Sequence, residues 1–303
     1  MTNGMPTLLD LAKIDAGDSY PLIEEAIKIA PELSLFPADT IDGTTMELTV
    51  RSDLPTVGFR NANQGAPRSK SKYLTRVFQT HLLDAQIAVD EPALMRQRSP
   101  GRYMQGEQRG HLEAALQHVS KQVYYGVGND SKGFPGLIAQ AKADAAHEVD
   151  ADGSTALTSV WMIRVGPATF EVLTGNGRTI YFDEEWRRET IYDASNNPIP
   201  GLTNWMHGTL GLRLANQNAC VRIKKIGTDS NKGLTDTLLF QAYEKFTEFG
   251  MEPTHILMNG RSREQLRSSR TNTGSNERGT PPPLPSDWNG IPIVRTAGIL
   301  NNE

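Results

Sequence analysis

The chain predicts an α+β protein, and three observations carry that class. Apolar residues alternate with polar ones in several short runs, as in half-buried strands. One long stretch carries an apolar stripe at helical spacing. Strand and helix patterns follow one another without a regular βαβ rhythm. The 303 residues are 38% hydrophobic and 22% charged, enough for one large domain or two modest ones around a packed core. The 27 glycines and 18 prolines imply many loops.

Residues 1 to about 43 read as an arm. Thr7 is placed to cap a short helix through Ile14, and Ser19 and Pro21 precede the amphipathic run Ile23 to Ile29, which Pro31 stops. The segment has too few apolar residues to fold alone, so it is expected to dock on the main body or on another chain.

Residues 44 to 90 read as a long hairpin. Met46, Leu48 and Val50 alternate with Thr45, Glu47, Thr49 and Arg51. A turn-rich tip, Asn61 to Lys72, follows. The chain returns through Tyr73 to Phe78, and the return strand is expected to continue to Val89. The tip carries Arg60, Arg68, Lys70 and Lys72 with no acid between them. A solvated loop accounts for such a tip; contact with an acidic surface on a partner is the functional reading.

Asp90, Glu91 and Pro92 make a helix start, and the short helix runs through about Gln97. After Ser99-Pro100-Gly101 a long helix is predicted from about Arg102 to Tyr125, with Leu112, Ala115, Leu116, Val119 and Val123 on one stripe and Gly126 as its cap. About 24 residues at about 1.5 Å each make a rod of roughly 36 Å. Gly106 and Gly110 weaken it by about 1 kcal/mol each and are expected where a neighbouring backbone comes close.

The stretch from Gly126 to Gly153 reads as loop and short helix with a tight turn at Gly133 to Leu137. Thr158 to Val165 reads as a buried strand, and Phe170 and Val172 mark a second. Residues 179 to 215 read as short strands and hairpins. Val221 and Ile223 alternate in another strand. Thr235 or Asp236 caps a helix with the stripe Leu239, Ala242, Tyr243, Phe246 and Phe249, ended by Gly250. His255 to Met258 reads as a short strand, Ser262 as the cap of a helix to about Arg270, residues 271 to 287 as a mobile loop, and Ile291 to Val294 as an edge strand because of Pro292.

The chain offers few groups for chemistry. Its six histidines show no HExxH or facial-triad spacing, and its one cysteine excludes both a CxxC site and an internal disulfide. Cys220 reads as a buried structural thiol, suited to folding in a reducing cytoplasm. Gly126-Val127-Gly128 ends a helix, whereas a phosphate loop opens one. Asp183-Glu184-Glu185 is balanced by Arg187 and Arg188. Trp161, Trp186, Trp205 and Trp288 lie in or beside strand patterns and read as core or interface residues, not base-stacking platforms. No catalytic, cofactor-binding or metal-ligating residue is assigned. The net charge of −4 gives no reason to expect nucleic-acid binding and suits a surface that lies beside nucleic acid without adhering to it. No run of eighteen apolar residues, secretory signal or fixed-period repeat occurs.

The order of parts resembles the major capsid protein of tailed bacteriophages, the Hong Kong 97-type fold. Val57-Gly58-Phe59-Arg60-Asn61 is similar to the outer part of that family's extended loop. Tyr125-Gly126-Val127-Gly128 followed by Phe134-Pro135-Gly136-Leu137 is similar to the link after its spine helix. Ser159-Val160-Trp161-Met162-Ile163, Leu257-Met258-Asn259-Gly260-Arg261 and Trp288-Asn289-Gly290-Ile291-Pro292-Ile293-Val294 are similar to later strands and turns. The resemblance covers nearly the whole chain. It implies an N-terminal arm (1–43), an extended loop (44–90), a spine helix with peripheral domain (91–155), and an axial domain with strands returning to the peripheral domain (156–303).

The resemblance also implies a function without catalysis. Copies would form pentamers and hexamers of an icosahedral virion head, assembled in the bacterial cytoplasm around double-stranded DNA that is not bound by sequence, with no membrane contact. The extended loop, with Arg60, Arg68, Lys70 and Lys72, would contact a neighbouring subunit. The large scaffolding region that some relatives carry ahead of the arm is absent, and the start at Met1 points to a separate scaffolding protein; a portal and a decoration protein are further expected partners. Some relatives cross-link a loop lysine to a neighbour's asparagine. Lys70 and Lys72 lie in the loop, but no catalytic acid or acceptor matches, so that chemistry is not carried over. An encapsulin-like compartment, sharing the fold around protein cargo, and a soluble α+β enzyme remain the alternatives.

Overall fold

The computed structural model describes residues 30–66, 68–167, 169–176, 179–270 and 282–303. The two helices expected before Ile29 lie outside these residues, as does most of the loop expected at 271–287.

The described chain enters through a 3-10 turn at Pro31–Ser34 and forms β1 (Ala38–Ile41). The hairpin strands are β2 (Thr45–Asp53) and β3 (Lys72–Gln79), with Met46 opposite Phe78 and Val50 opposite Leu74. The return strand does not continue as expected. It breaks at Thr80, and β4 (His81–Asp90) leaves for a different sheet. Asp90 caps α1 (Glu91–Met95), its side chain accepting from the Ala93 N–H at 3.5 Å. The long helix, α2 (Pro100–Tyr125), has 26 residues and so spans about 39 Å. Its expected stripe, Leu112 to Val123, is buried. No described atom comes within 4 Å of a side chain built at Gly106 or Gly110, so the close neighbour expected there is not supplied by the described chain.

A close approach does occur at the end of α2. Gly126 has φ of +53°, and a Cβ there would lie 2.2 Å from the Gly136 nitrogen. A Cβ at Gly136 would lie 2.5 Å from the Gly126 nitrogen and 2.7 Å from the Gln122 carbonyl oxygen. The two glycines let the turn at 133–137 fold back on the helix and lead into α3 (Leu137–Gln140).

The second half continues with β5 (Glu148–Asp150), β6 (Thr158–Ile163), β7 (Phe170–Gly175), β8 (Ile180–Phe182), β9 (Arg187–Tyr192) and β10 (Pro198–Leu214). The expected short hairpins at 179–215 are corrected in one respect: β10 is a single strand of 17 residues. Next come β11 (Cys220–Ile226), α4 (Asp236–Glu248), β12 (His255–Met258), α5 (Gly260–Ser269), β13 (Asp287–Trp288) and β14 (Ile291–Arg295). Thr235 caps α4, but α5 is capped by Asn259, whose Oδ1 accepts from the Ser262 N–H at 2.8 Å; Ser262 is already inside the helix. β14 is not an edge strand. It lies between β13 and β12, and its pairing with β12 starts at Ile293, so Pro292 stands just ahead of that ladder.

One sheet has the order β1-β7-β10-β4, with β8 and β9 also paired to β10. The other runs β13-β14-β12-β6-β11-β5. β6 joins two cores. Trp161 and Ile163 pack with α2, Phe170 and Leu214, while Val160 and Met162 pack with α4, α5 and Ile256. Alternation along one strand feeds both, which is why all six of its residues are buried.

Glu32 fastens the entering segment to this body. It is fully buried, and its Oε1 accepts from Thr296 Oγ1 at 2.6 Å and from Ser120 Oγ on α2. Its Oε2 has no partner among the described residues. Burial raises the carboxyl's pKa, against the opposing effect of the two hydroxyl hydrogen bonds. A raised folded pKa means stability that is complete below the unfolded value, about 4.3, and is lost as pH rises through the folded value.

Two outcomes are expected for the purified chain. Glu32→Gln should flatten the fall in urea midpoint that the native chain shows above about pH 4.3. Gly136→Ala should lower stability by roughly 1–3 kcal/mol through overpacking at α2, read from the same denaturation curves.

Candidate assembly interface

The hairpin is a two-stranded ribbon with its own sheet. Its nine-residue first strand extends about 30 Å at about 3.4 Å per residue. Such ribbons are marginally stable in water unless a further layer covers them. Here the covering is confined to the base. Phe78 is buried with Ile41 and Leu173, and Met46 and Leu48 pack beside them. The backbone at Gln79 presses on β10, where a Cβ at Gly211 would lie 2.6 Å from the Gln79 oxygen.

Two arginines tie the base to the body. Arg76 donates from Nη1 to the Leu214 carbonyl at 2.7 Å, and its guanidinium carbon lies 5.2 Å from the centre of the Phe78 ring. Burial lowers its pKa. Arg213, on β10, donates from Nη2 to Asp39 Oδ2 at 2.9 Å and to Glu171 Oε2, and its Nη1 reaches the Met46 sulfur. Arg213 and Glu171 are buried, so this cation links β10, β7, β1 and the ribbon. An open groove of about 890 Å³ lies between the ribbon's Met46, Leu48, Leu74 and Arg76 and the body's Lys142 and Arg213.

The outer ribbon shows apolar side chains to solvent. Leu54, Tyr73, Leu74 and Val77 are exposed, Val57 is 89% exposed, and Phe59 is fully so. Burying any one of them would contribute roughly 1.5–3 kcal/mol. The four cations expected at the tip are all exposed. Arg60 donates to the Gln64 carbonyl at 2.8 Å and so shapes the tip itself. Arg68 and Lys70 make no ion pair among the described residues. Lys72 differs from expectation: Asp53, across the ribbon, lies 3.4 Å from its Nζ, so an acid outside the tip run compensates it. That exposed pair contributes at most about 1 kcal/mol.

Sequence reasoning singled out the charges and missed the exposure of Val57 and Phe59. Their signal is Leu54-Pro55-Thr56-Val57-Gly58-Phe59, in which the large apolar residues are separated by a proline and a glycine that disfavour a strand ladder. No group of His, Cys, Asp and Glu able to hold a metal occurs among the described residues. Cys220 is buried, which pushes its thiol pKa up. Arg187 pairs with Asp183 at 3.1 Å and Arg188 with Glu91 at 2.8 Å. No helix among the described residues is long and apolar enough to cross a membrane.

A family model described as major capsid protein GP7 matches residues 29–303. The chain belongs to the major capsid protein GP7 family. It is a structural subunit of the tailed-phage head, and its fold is of the Hong Kong 97 type. The fold is similar to that in the near-atomic structure of bacteriophage Epsilon15, at 18% identity and a TM-score of 0.66, covering 88% of this chain and 87% of that chain. The capsid of bacteriophage JBD30 gives 9% identity and a TM-score of 0.49 over 86% of this chain and 88% of that chain. The holo-SrpI encapsulin complex of Synechococcus elongatus PCC 7942 gives 8% and 0.43 over 62% and 84%. No curated protein matches the sequence.

In this capsid protein the ribbon's base is the part fixed by its own chain. Arg213→Met removes the buried cation that Glu171 and Asp39 share and should cost about 3–5 kcal/mol. Adding Glu171→Gln should recover most of the loss, measured as urea midpoints of free subunits.

Proposed function

We propose that copies of this capsid protein associate as pentamers and hexamers and enclose double-stranded DNA, with the ribbon of each copy lying on a neighbour. The observation that carries the reading is the outer ribbon. It exposes Phe59 and Val57 beside the unpaired Arg68 and Lys70, while the base is held firmly by Phe78, Arg76 and Arg213. A rigid root with an apolar, basic tip fits contact with a second surface that is partly apolar and acidic. The tip residues Arg60, Arg68, Lys70 and Lys72 take that contact, and the arm (1–43) ties down another copy.

The division into arm (1–43), extended loop (44–90), spine and peripheral part (91–155) and axial part (156–303) is the one we propose for the assembling subunit. A separate scaffolding protein, a portal and a decoration protein complete the proposed partners, with assembly in the host cytoplasm. The slight excess of negative charge suits an inner wall that does not hold DNA tightly. Family membership favours a phage head over an encapsulin-like compartment.

The test is expression followed by sedimentation and negative-stain electron microscopy. Capsomers or closed shells are expected, with DNA and not protein cargo inside particles from infected cells. A small soluble oligomer under all conditions, with or without scaffolding protein, would refute the reading. Reversal of the tip charges, Arg68→Glu with Lys70→Glu, should abolish shells while the subunit keeps its denaturation midpoint.

A further inference from the structure

We infer that the acidic groove between β5 and α4 of one copy receives the ribbon tip of a second copy. The inference rests on the reading of this chain as a self-assembling shell subunit and names the surface that accepts the tip.

The groove is open, with a volume of about 710 Å³. Ala146, Val149 and Phe240 give it apolar walls, and Phe240, on the solvent side of α4, is 54% exposed. Its acids fall into two groups. Glu148 and Asp150 already have cations, Lys224 at 2.5 Å and Lys225 at 2.8 Å. Glu244 and Glu248 are exposed on α4 and make no ion pair among the described residues. The intervening Lys245 also lines the groove, and its Nζ donates to the Ala145 carbonyl rather than pairing with either acid.

Glu244 and Glu248 are poorly placed for the isolated subunit. Like charges four residues apart repel along a helix. Both lie toward the C-terminal end of α4, where the helix dipole disfavours anions. Among the described residues no ion pair offsets either effect, so both acids are open to a cation from outside.

The ribbon tip supplies the complement. It presents an exposed aromatic, Phe59, close in sequence to two unpaired cations, Arg68 and Lys70. The groove presents an exposed aromatic, Phe240, one turn from the first of two unpaired anions. Within one chain no hydrogen bond or ion pair joins tip to groove among the described residues. A tip on one copy entering a groove on the next is a head-to-tail contact, and such contacts generate rings when the rotation closes. That is the symmetry a pentamer or hexamer needs. The aromatic pair forms the buried centre and the charges form the rim.

Charge exchange tests the pairing in intact protein, co-expressed with whatever scaffolding the shell requires. Glu244→Lys with Glu248→Lys should reduce shell yield at least about tenfold, as should Arg68→Glu with Lys70→Glu, and the combination of all four should restore most of it. Urea midpoints of the free subunits check that each variant folds. If tip reversal blocks assembly and groove reversal does not, the tip docks elsewhere: the inference fails and the shell reading stands. If both block and the combination stays blocked, the groove holds a different occupant, such as scaffolding protein or residues before Ala30, and the inference again fails. If the native chain forms no capsomers or shells, the reading beneath it fails too.

A second measurement is independent of yield. Phe59→Cys and Phe240→Cys, made in separate chains and mixed before assembly, should give one oxidised dimer band, since the native Cys220 is buried. Its absence in assembled particles overturns the inference.

Discussion

A ribbon about 30 Å long that can cover only its root is the constraint on which the rest of this structure depends. Two strands satisfy each other's backbone groups on one side but make no core. The core they need is lent by Phe78, Ile41 and Leu173 at one end, and nothing in the described chain extends it outward. A free subunit therefore holds its outer ribbon weakly, while an assembled one gains whatever apolar area a neighbour covers. Ribbon order and association become linked, because anything that binds only the ordered form stabilises it by mass action.

The body is built so that this lever has a firm root. Arg213 is buried at the crossing of β10, β7 and β1, with two carboxylates and the Met46 sulfur around it. Such a buried cluster contributes little net stability compared with a well-packed apolar one, but it admits few alternative arrangements. Arg76 fixes the ribbon to the carbonyl of Leu214, the last residue of β10, and the Gln79 backbone rests where Gly211 leaves space. β10 reaches that point after pairing with β4 from Gly201 to Leu210, and β6 carries the same rigidity into the second core.

Much of this was legible in the sequence because it is written in period. The stripe on α2, the alternation of β2, the caps at Asp90 and Thr235 and the buried run of β6 all depend on neighbours close in sequence. What was misread depends on neighbours distant in sequence. Gly201, Gly208 and Gly211 look like strand breaks, yet they lie within one strand; at Gly201 and Gly211 the glycine makes room for the Ile191 side chain of the neighbouring β9 or for the Gln79 backbone. Pro292 looks like an edge marker, but β13 covers β14. At the tip, composition revealed the cations, whereas the partner of Lys72 lies in the other strand and became visible with the register that sets Asp53 opposite it. Exposure of Phe59 is of the same kind, since an apolar residue in a sequence does not say whether its cover lies in its own chain or in another.

The mixture of contacts at the tip suits a shell better than either ingredient alone. Charges act over a Debye length of about 8 Å at physiological salt and steer one subunit toward another, but exposed pairs add at most about 1 kcal/mol each. An aromatic acts only at contact, where its burial is worth roughly 1.5–3 kcal/mol. A joint built from one such anchor and a few charges is weak enough to come apart when placed wrongly. Closed symmetry then repeats the correct joint around every ring, so that each subunit is held by several weak contacts together and leaves only when all release. Reversible errors and a durable shell thus follow from the same modest interaction, provided the ribbon's root does not yield; the buried Arg213 cluster and the Phe78 anchor provide for that.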